Sequence, residues 1–205
     1  NAEFSSVYFE GFENLYNNST KLEEGVSLAG GTQNNTTFHS GKYCLNLTGQ
    51  FTSVVLDVNN QMRQKGVQVR FWAKGDVSTG VVSVTATAGT PTTLKQIARS
   101  GEWALFESTV GGILPGAAQL SVSIVKSGGA ATWIDDVRIQ PSDAEMTCYV
   151  YDNRTLQLLT VFDDQHFGMF YQYNAEGKLL RKMVETERGI KTLQETQYNT
   201  PTINK

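Results

Sequence analysis

The chain has 205 residues, a net charge of −3 and a pI near 5.4. Its lysines and arginines form no basic stripe, which argues against a nucleic-acid partner because phosphate binding requires clustered cations. No apolar run approaches the roughly 20 residues that a membrane-spanning helix requires, so no membrane span is predicted. Hydrophobic residues make up 40% of the chain, enough for the core of one large or two small domains.

The front of the chain predicts a series of short strands. Runs rich in Val, Ile, Thr and aromatic residues are bounded by Gly, Asn, Asp or Pro, which is the pattern of strands joined by turns. The predicted strands are residues 7–12, 43–48, 53–58, 68–74, 81–88, 94–99, 105–110, 119–125 and 132–139. No stretch shows helical periodicity. About nine strands in roughly 135 residues predict an all-β fold, an antiparallel β-sandwich of the jelly-roll type.

The composition changes after Pro141, where Gly becomes rarer and Tyr, Gln, Glu and Arg become more frequent. We therefore place a jelly-roll domain at residues 1–141 and a second unit at residues 142–205. The strands predicted in this second unit are 146–151, 156–162, 168–174, 179–185 and 191–198. They form a small β-meander. Because isolated hairpins are marginally stable, it either packs on the sandwich or continues into further repeats.

A tyrosine motif is repeated within the second unit. Tyr149-Val-Tyr151-Asp152 returns 22 residues later as Tyr171-Gln-Tyr173-Asn174, and Gln197-Tyr198-Asn199 is a weaker third copy. Gly177, three residues after the second copy, fits the left-handed position of a hairpin turn. The turn acids of this unit are expected to accept hydrogen bonds from nearby backbone N–H groups.

The second unit also resembles a known kind of repeat. Around the second copy the sequence reads Phe170-Tyr-Gln-Tyr-Asn-Ala-Glu-Gly-Lys-Leu179. With the first copy, it is similar to the YD repeats of RHS-type bacterial surface and toxin-delivery proteins, over residues 146–199. The first copy departs from the pattern, because Asn153-Arg-Thr-Leu156 stands where a Gly is expected. The resemblance implies a scaffold rather than an active site.

Five short motifs occur in order along the front domain. They are Phe9-Glu10-Gly11-Phe12-Glu13, His39-Ser40-Gly41-Lys42-Tyr43-Cys-Leu45, Val69-Arg-Phe-Trp-Ala-Lys-Gly75, Trp103, and Trp133-Ile-Asp-Asp-Val137. This ordered set resembles the galactose-binding-like jelly roll of carbohydrate-binding modules, in particular those that accompany xylanases and cellulases. The resemblance covers about residues 5–140. It implies a non-catalytic module that binds a polysaccharide or another glycan.

The same resemblance implies a structural calcium ion near the ends of the sandwich. The positions that match the ligands of the family are Glu10 or Glu13, Gly41 or Lys42, and Asp135 or Asp136. Carboxylates mixed with carbonyls suit a hard cation. Because strand alternation sends adjacent residues to opposite faces, one of the two aspartates should point inward. The alternative is that Asp136 accepts backbone N–H bonds at a bulge while Asp135 is solvated.

A sugar platform is expected on one face of the strand at 68–74. Its members are Trp72, Arg70, Lys74 and Gln68, which share that face by alternation. Lesser aromatic candidates are Tyr16, Tyr43, Trp103 and Trp133. An exposed ring contacts the apolar face of a sugar, and the flanking polar groups bind its hydroxyls. The alternative is that the second unit or a loop covers Trp72, with its indole N–H paired.

Enzyme chemistry finds little support in the sequence. There is no Gly-x-Ser-x-Gly elbow, and His39 and His166 lack the spacing of metal ligands. His39 precedes a Ser-Gly turn. We expect its side chain to cap this turn or to lie there in solvent. Cys44 and Cys148 are the only cysteines, and whether they pair stays open because pairing cannot be deduced from sequence.

These observations favour a non-catalytic binding module of a larger secreted or surface-exposed bacterial protein, with a glycan as its ligand. The alternative is a structural or adhesion element, in which the jelly roll lacks a sugar platform and serves as a spacer beside the repeats. The exposure of Trp72 separates the two. A Trp72 that lies in an open groove favours binding, and a Trp72 covered by the meander favours the spacer.

Overall fold

The computed structural model describes residues 6–13 and 30–198. This part of the chain forms 18 strands and one short helix. In chain order the strands are β1 (Tyr8–Glu10), β2 (Gly31–Asn34), β3 (Cys44–Leu47), β4 (Gln50–Thr52), β5 (Leu56–Asp57), β6 (Val67–Gly75), β7 (Val82–Ala86), β8 (Thr90–Pro91), β9 (Lys95–Ser100), β10 (Trp103–Gly111), β11 (Gln119–Leu120), β12 (Val122–Lys126), β13 (Thr132–Pro141), β14 (Cys148–Tyr151), β15 (Leu158–Phe162), β16 (Gly168–Tyr173), β17 (Leu179–Thr186) and β18 (Gly189–Glu195), and helix α1 (Asn60–Lys65) lies between β5 and β6. The predicted all-β class is confirmed.

The strands up to β13 build an antiparallel sandwich. One sheet has the strand order β2-β3-β13-β6-β10-β8, with β1 also paired to β13 and β9 to β10. The remaining strands form the groups β4-β12-β7 and β11-β5. A single hydrophobic core joins the sheets and contains Phe51, Phe71, Leu120, Ile124 and Ile134, all fully buried. Each such side chain contributes roughly 1.5–3 kcal/mol through burial.

Strand β6 is buried on both faces, against different neighbours. Val69, Phe71 and Ala73 point into the sandwich core. Trp72 points the other way and belongs to a second cluster that includes Trp103. The predicted alternation along this strand is therefore confirmed, and two distinct layers cover its two faces.

Strand β13 carries a bulge between Asp135 and Arg138. Asp135 lies opposite Trp72 and Arg138 opposite Arg70, so β13 has one residue more than β6 over this interval. Asp136, within the bulge, has a left-handed φ of 51°. The bulge interrupts the alternation, and both Asp135 and Asp136 are fully buried. The expectation that only one of the two aspartates points inward is therefore wrong. The alternative correctly placed a bulge at Asp136, but its solvated Asp135 is wrong as well.

Strands β14 to β18 form a five-stranded meander in sequence order, as predicted. Its inner face packs on the sandwich, where Val150 and Phe162 meet Phe9 of β1. The rings of Phe9 and Phe162 lie 6.0 Å apart. On the outer face, Tyr149 and Tyr151 are 54% and 49% exposed. The meander thus docks on the sandwich through one face.

The repeated tyrosine motif closes a similar turn twice. Oδ1 of Asp152 accepts the N–H groups two and three residues ahead, and Oδ1 of Asn174 accepts those two and four residues ahead. Gly177 has the predicted left-handed conformation, with a φ of 80°. In the first copy Leu156 adopts such a conformation instead, with a φ of 56°. These contacts confirm that Asp152 closes its own turn, and the side-chain amide of Asn174 does the same in the second copy.

A short helix departs from the all-strand expectation. Asn59 caps α1 by accepting the N–H of Met62 at 2.8 Å, and Gly66 ends it with a φ of 82°. Six residues are too few to show helical periodicity in the sequence. The short strands β2, β4 and β8 also escaped prediction. No helix in the described part of the chain is long and apolar enough to cross a membrane.

Candidate functional site

The meander covers the centre of the predicted sugar platform on β6. Trp72 is 0% exposed, and its Nε1 donates to the carbonyl of His166 at 3.0 Å. The ring of Phe167 meets the indole edge-on, with centroids 5.9 Å apart. A ring that stacks on a sugar has to be accessible, so Trp72 does not provide a platform in this structure.

Protein groups also engage the polar neighbours of Trp72. Nε of Arg70 donates to Glu107 Oε2 at 2.8 Å, and Nη1 of Arg70 donates to the carbonyl of Asp164 at 3.1 Å. Gln68 Nε2 donates to the same Glu107 oxygen at 3.1 Å. Part of this face therefore holds the meander instead of facing solvent.

A buried arginine fixes the turn that covers Trp72. The side chain of Arg138 is only 1% exposed. Its Nη1 donates to the carbonyl of Asp163 at 2.8 Å, and its Nη2 donates to Asp164 Oδ1 at 3.2 Å and to the carbonyl of Met146. Since these acceptors belong to the segment after β13, Arg138 ties the sandwich to the meander.

His39 occupies the centre of the interface between the sandwich and the meander. Its Nδ1 lies 2.8 Å from Asp136 Oδ2, and its Nε2 lies 2.8 Å from Glu185 Oε1. Burial alone would lower the pKa of His39, but the hydrogen bonds to Asp136 and Glu185 outweigh it and raise the pKa to about 9. At neutral pH an imidazolium therefore bridges β13 and β17.

Further donors hold both carboxylates of this bridge. Glu185 Oε2 accepts the N–H of Gly168 at 3.0 Å, and Asp136 Oδ1 accepts the hydroxyl of Ser40 at 2.6 Å. The Ser40 hydroxyl donates to Asp136 and not to His39, and Ser40 is buried. In a catalytic triad the hydroxyl bonds the imidazole. Ser40, His39 and Asp136 therefore lack that arrangement.

Asp135 pins the turn that carries His39. Its Oδ2 accepts the N–H groups of His39 at 2.8 Å and Ser40 at 3.3 Å, and its Oδ1 accepts the N–H of Asp136 at 2.8 Å. Burial, and then the charge of Asp136, raise the pKa of Asp135 well above its usual range. Asp135 thus holds the backbone of the turn, whereas Asp136 bonds the His39 ring in the bridge.

Glu13 makes a second link around the Ser-Gly turn. Its Oε1 accepts the N–H groups of Lys42 at 2.8 Å and Tyr43 at 3.0 Å. A Cβ on Gly41 would overlap this carboxylate. Burial raises the pKa of Glu13 to about 7. The ammonium of Lys42 pairs with Asp152, so this turn too is tied to the meander.

The predicted calcium ligands do not form a cation cage. Glu10 accepts the N–H of Phe12 at 2.7 Å and the hydroxyl of Tyr8 at 3.0 Å, while Asp135 and Asp136 accept the donors described above. Among residues 6–13 and 30–198, no three His, Cys, Asp or Glu side chains are grouped so that they could hold a metal ion. Donors occupy the carboxylates of Glu10, Asp135 and Asp136, whereas Glu13 Oε2 is buried without a hydrogen-bond partner. One such oxygen falls well short of the roughly six to eight that calcium takes, so the residues as arranged do not fit calcium.

The remaining sequence candidates are buried or only partly accessible. Cys44 and Cys148 are both free and buried, and burial raises the pKa of Cys148 to about 12, so its thiol is unreactive. Trp103 is 8% exposed, and Trp133 packs against the cluster around Trp72. Tyr43 is half-buried, and Tyr16 lies outside the described residues.

A cleft of about 390 Å³ opens on the opposite side of β6 from Trp72. Ala73, Ala104 and Phe106 line it, together with Gln96 and Arg99 of β9. Ala73 and Phe106 are buried, whereas Gln96 and Arg99 are exposed, so the cleft has an apolar floor and a polar rim. Its volume lies within the roughly 300–1,000 Å³ typical of small-molecule sites.

Local patterns in the sequence did not indicate the residues that matter most at the interface. His39 was expected to cap a surface turn or to lie there in solvent. It is instead buried between two carboxylates. Glu185 is one of several acids in the meander, and nothing local distinguishes it. Alternation along β17 places Glu185 on the same face as Met183, which lies opposite the buried Phe170. This was the one available signal.

Comparison with known proteins assigns no activity to these groups: no family model matches the sequence, and no curated protein matches it. The interface and the cleft therefore have to be interpreted from their own geometry.

Proposed function

We propose that the chain is a non-catalytic structural module of a larger secreted or surface protein, in which the sandwich and the meander act as one rigid body. The Asp136–His39–Glu185 bridge carries this proposal. A shift of one unit against the other that broke the bridge within the closed interface would leave a buried charge without its partner, which costs about 3–5 kcal/mol. The resemblance of residues 146–199 to YD repeats supports a spacer beside such repeats.

Polar contacts at both ends of the interface support the same function. Arg138 holds the turn at Asp163 at one end. At the other end Asn153 Nδ2 donates to the carbonyl of Glu13 at 2.7 Å. Directional bonds fix orientation more strictly than apolar contact does. The contacts therefore specify a single orientation between the two units, as a spacer requires.

Two-probe unfolding tests the rigid-body function directly. The meander contacts Trp72, so tryptophan fluorescence does not report on the sandwich alone. Amide exchange of β7 and β12 reports on the sandwich, and amide exchange of β16 and β17 reports on the meander. We expect coincident urea midpoints for the two probes, because the units unfold cooperatively. Two separated transitions in the wild-type chain would show that the units are independent and would refute the proposal.

Glycan binding is the second candidate function, and the cleft beside β9 is the observation that favours it. In this case the ligand contacts Gln96 and Arg99, not Trp72. Affinity electrophoresis of the full chain in polysaccharide gels tests the idea. Gln96→Ala should reduce retention, whereas Trp72→Phe should leave it unchanged at a temperature where both variants are folded. If no polysaccharide gel slows the migration of the wild type, binding to the polysaccharides tested is excluded.

A further inference from the structure

The cleft beside β9 contains a cation that lacks a counter-ion within the described part of the chain. No carboxylate there lies within ion-pair distance of the Arg99 guanidinium. Nε of Arg99 donates to the carbonyl of Gly101 at 3.0 Å. This bond orients the planar group and leaves its two terminal amino groups available to a ligand.

Protein donors already satisfy the two carboxylates that line the cleft. Glu102 Oε2 accepts the ammonium of Lys74 at 2.7 Å. Asp76 Oδ1 accepts the hydroxyl of Ser78 at 2.6 Å and its N–H at 3.2 Å, and Asp76 Oδ2 accepts the N–H of Ala130 at 3.1 Å. The first of these acids is neutralised by a lysine and the second is held within its own loop. Asp76 keeps its negative charge, but donors of its own loop and of a neighbouring loop already bond both of its oxygens. Arg99 is therefore the charged group of the cleft whose N–H donors are available to an anionic ligand.

We propose that this cleft binds a sugar that carries a carboxylate, such as a hexuronate residue, and that Arg99 is its anion-binding group. The proposal rests on the glycan-binding candidate function and specifies its ligand class. A guanidinium matches a carboxylate through two parallel N–H···O bonds, which adds geometric selectivity to charge attraction. A neutral sugar cannot form this pair.

The rest of the cleft suits the body of the same ligand. Ala73 and Phe106 are buried beneath the floor of the cleft. The half-buried side chains of Val77 and Ala104 offer an apolar surface to the C–H groups of a pyranose ring. Gln96 and Ser78 line the cleft as well, and their amide and hydroxyl groups can donate to and accept from sugar hydroxyls. Small apolar side chains on the floor leave room for the ring, while the polar groups set its orientation.

Calorimetric titration of the full chain tests the ligand class with three matched trisaccharides. The probes are trigalacturonate, its methyl ester and galactotriose, which share a sugar configuration and differ in charge. We expect trigalacturonate to bind at least about tenfold more tightly than the other two, with an affinity that falls as salt rises. Arg99→Gln should abolish this preference. Arg99→Lys should retain only part of this preference, because a lysine keeps the charge but cannot form the two parallel N–H···O bonds.

Lys95→Gln provides the control, because it removes the same charge from β9 at a residue that does not line the cleft. Equal affinity for the three sugars, or an unchanged preference in Arg99→Gln, would overturn the acidic-ligand proposal while leaving glycan binding intact. Absence of binding to all three, together with no retention in the polysaccharide gels, would remove the glycan-binding function itself. Melting temperatures confirm that each variant is folded.

Discussion

The imidazole of His39 lies almost parallel to the indole of Trp72, with ring centroids 4.1 Å apart and planes inclined by 17°. A protonated imidazole in this position is attracted to the face of the indole, an interaction worth about 2 kcal/mol when desolvated. Trp72 therefore supports the charge of His39 from one side, while Asp136 and Glu185 hold it in the ring plane. The aromatic residue expected to bind a sugar instead stabilises the interface.

Removal of Glu185 should destabilise the whole chain. Glu185→Ala leaves the His39 charge with one partner and frees the N–H of Gly168, so we expect the free energy of unfolding to fall by about 3–5 kcal/mol. Urea denaturation followed by fluorescence measures the change. Glu195→Ala is the matched control, because it breaks an exposed pair with Arg181 and should cost no more than about 1 kcal/mol. Equal effects of the two variants would contradict a special role for Glu185.

Stability should decline as pH rises through about 9. The folded pKa of His39 is raised from 6.5 to about 9, so its contribution is fully present below pH 6.5 and is lost as pH rises through the folded value. The shift corresponds to a contribution on the order of 3 kcal/mol. Other groups titrate at high pH, so the relevant quantity is the difference in unfolding free energy between wild type and His39→Asn. A difference that stays constant from pH 6 to 10 would contradict the assignment.

Local patterns in the sequence predicted the strands but not the surface between the two units. Alternation along β6 placed Val69 and Phe71 on one face and Trp72 on the other, which the structure confirms. Alternation is a local property, whereas the burial of Trp72 depends on a turn 94 residues later that supplies the carbonyl of His166. The sequence therefore left open which of the two expectations for Trp72 holds.

The same distinction explains the error at the paired aspartates. Asp135 and Asp136 were expected on opposite faces, which holds for a regular strand. One inserted residue in β13 changes the direction of both side chains. No Gly or Pro marks this bulge, and a left-handed φ at a non-Gly residue is uncommon. The charged partner of Asp136 is His39, which lies 97 residues away in the sequence, so no local pattern favoured the bulge.

Gly41 should resist substitution more strongly than another glycine in a similar backbone conformation. Gly41 has a φ of 60° and Gly101 a φ of 57°, so alanine at either position pays a left-handed penalty of roughly 1–2 kcal/mol. At Gly41 the new Cβ also overlaps Glu13, whereas nothing lies within 4 Å at Gly101. We expect Gly41→Ala to lower the unfolding free energy clearly more than Gly101→Ala. Equal losses in urea denaturation would show that Glu13 moves aside without cost.

Replacement of Leu156 should raise stability. Leu156 has a φ of 56° and is 75% exposed, so its side chain gains little from packing while its backbone is strained. Leu156→Gly relieves that strain but adds entropy to the unfolded chain, and we expect a net gain of up to about 1 kcal/mol. Thermal unfolding measures the change, and Leu114→Gly is the control because Leu114 is similarly exposed, at 62%, without a left-handed backbone. A loss equal to that of the control would contradict strain at Leu156.

Calcium should leave the melting temperature unchanged. A ligand that binds only the folded state raises stability by mass action, so an ion held by Glu10, Glu13 or the β13 aspartates would shift the midpoint. The oxygens of Asp135 and Asp136 instead accept bonds from His39, Ser40 and the backbone. We therefore expect the same midpoint, within about 1 °C, after dialysis against chelator and after addition of millimolar calcium. A rise of several degrees with calcium but not with magnesium would show that the His39 bridge rearranges to admit the ion.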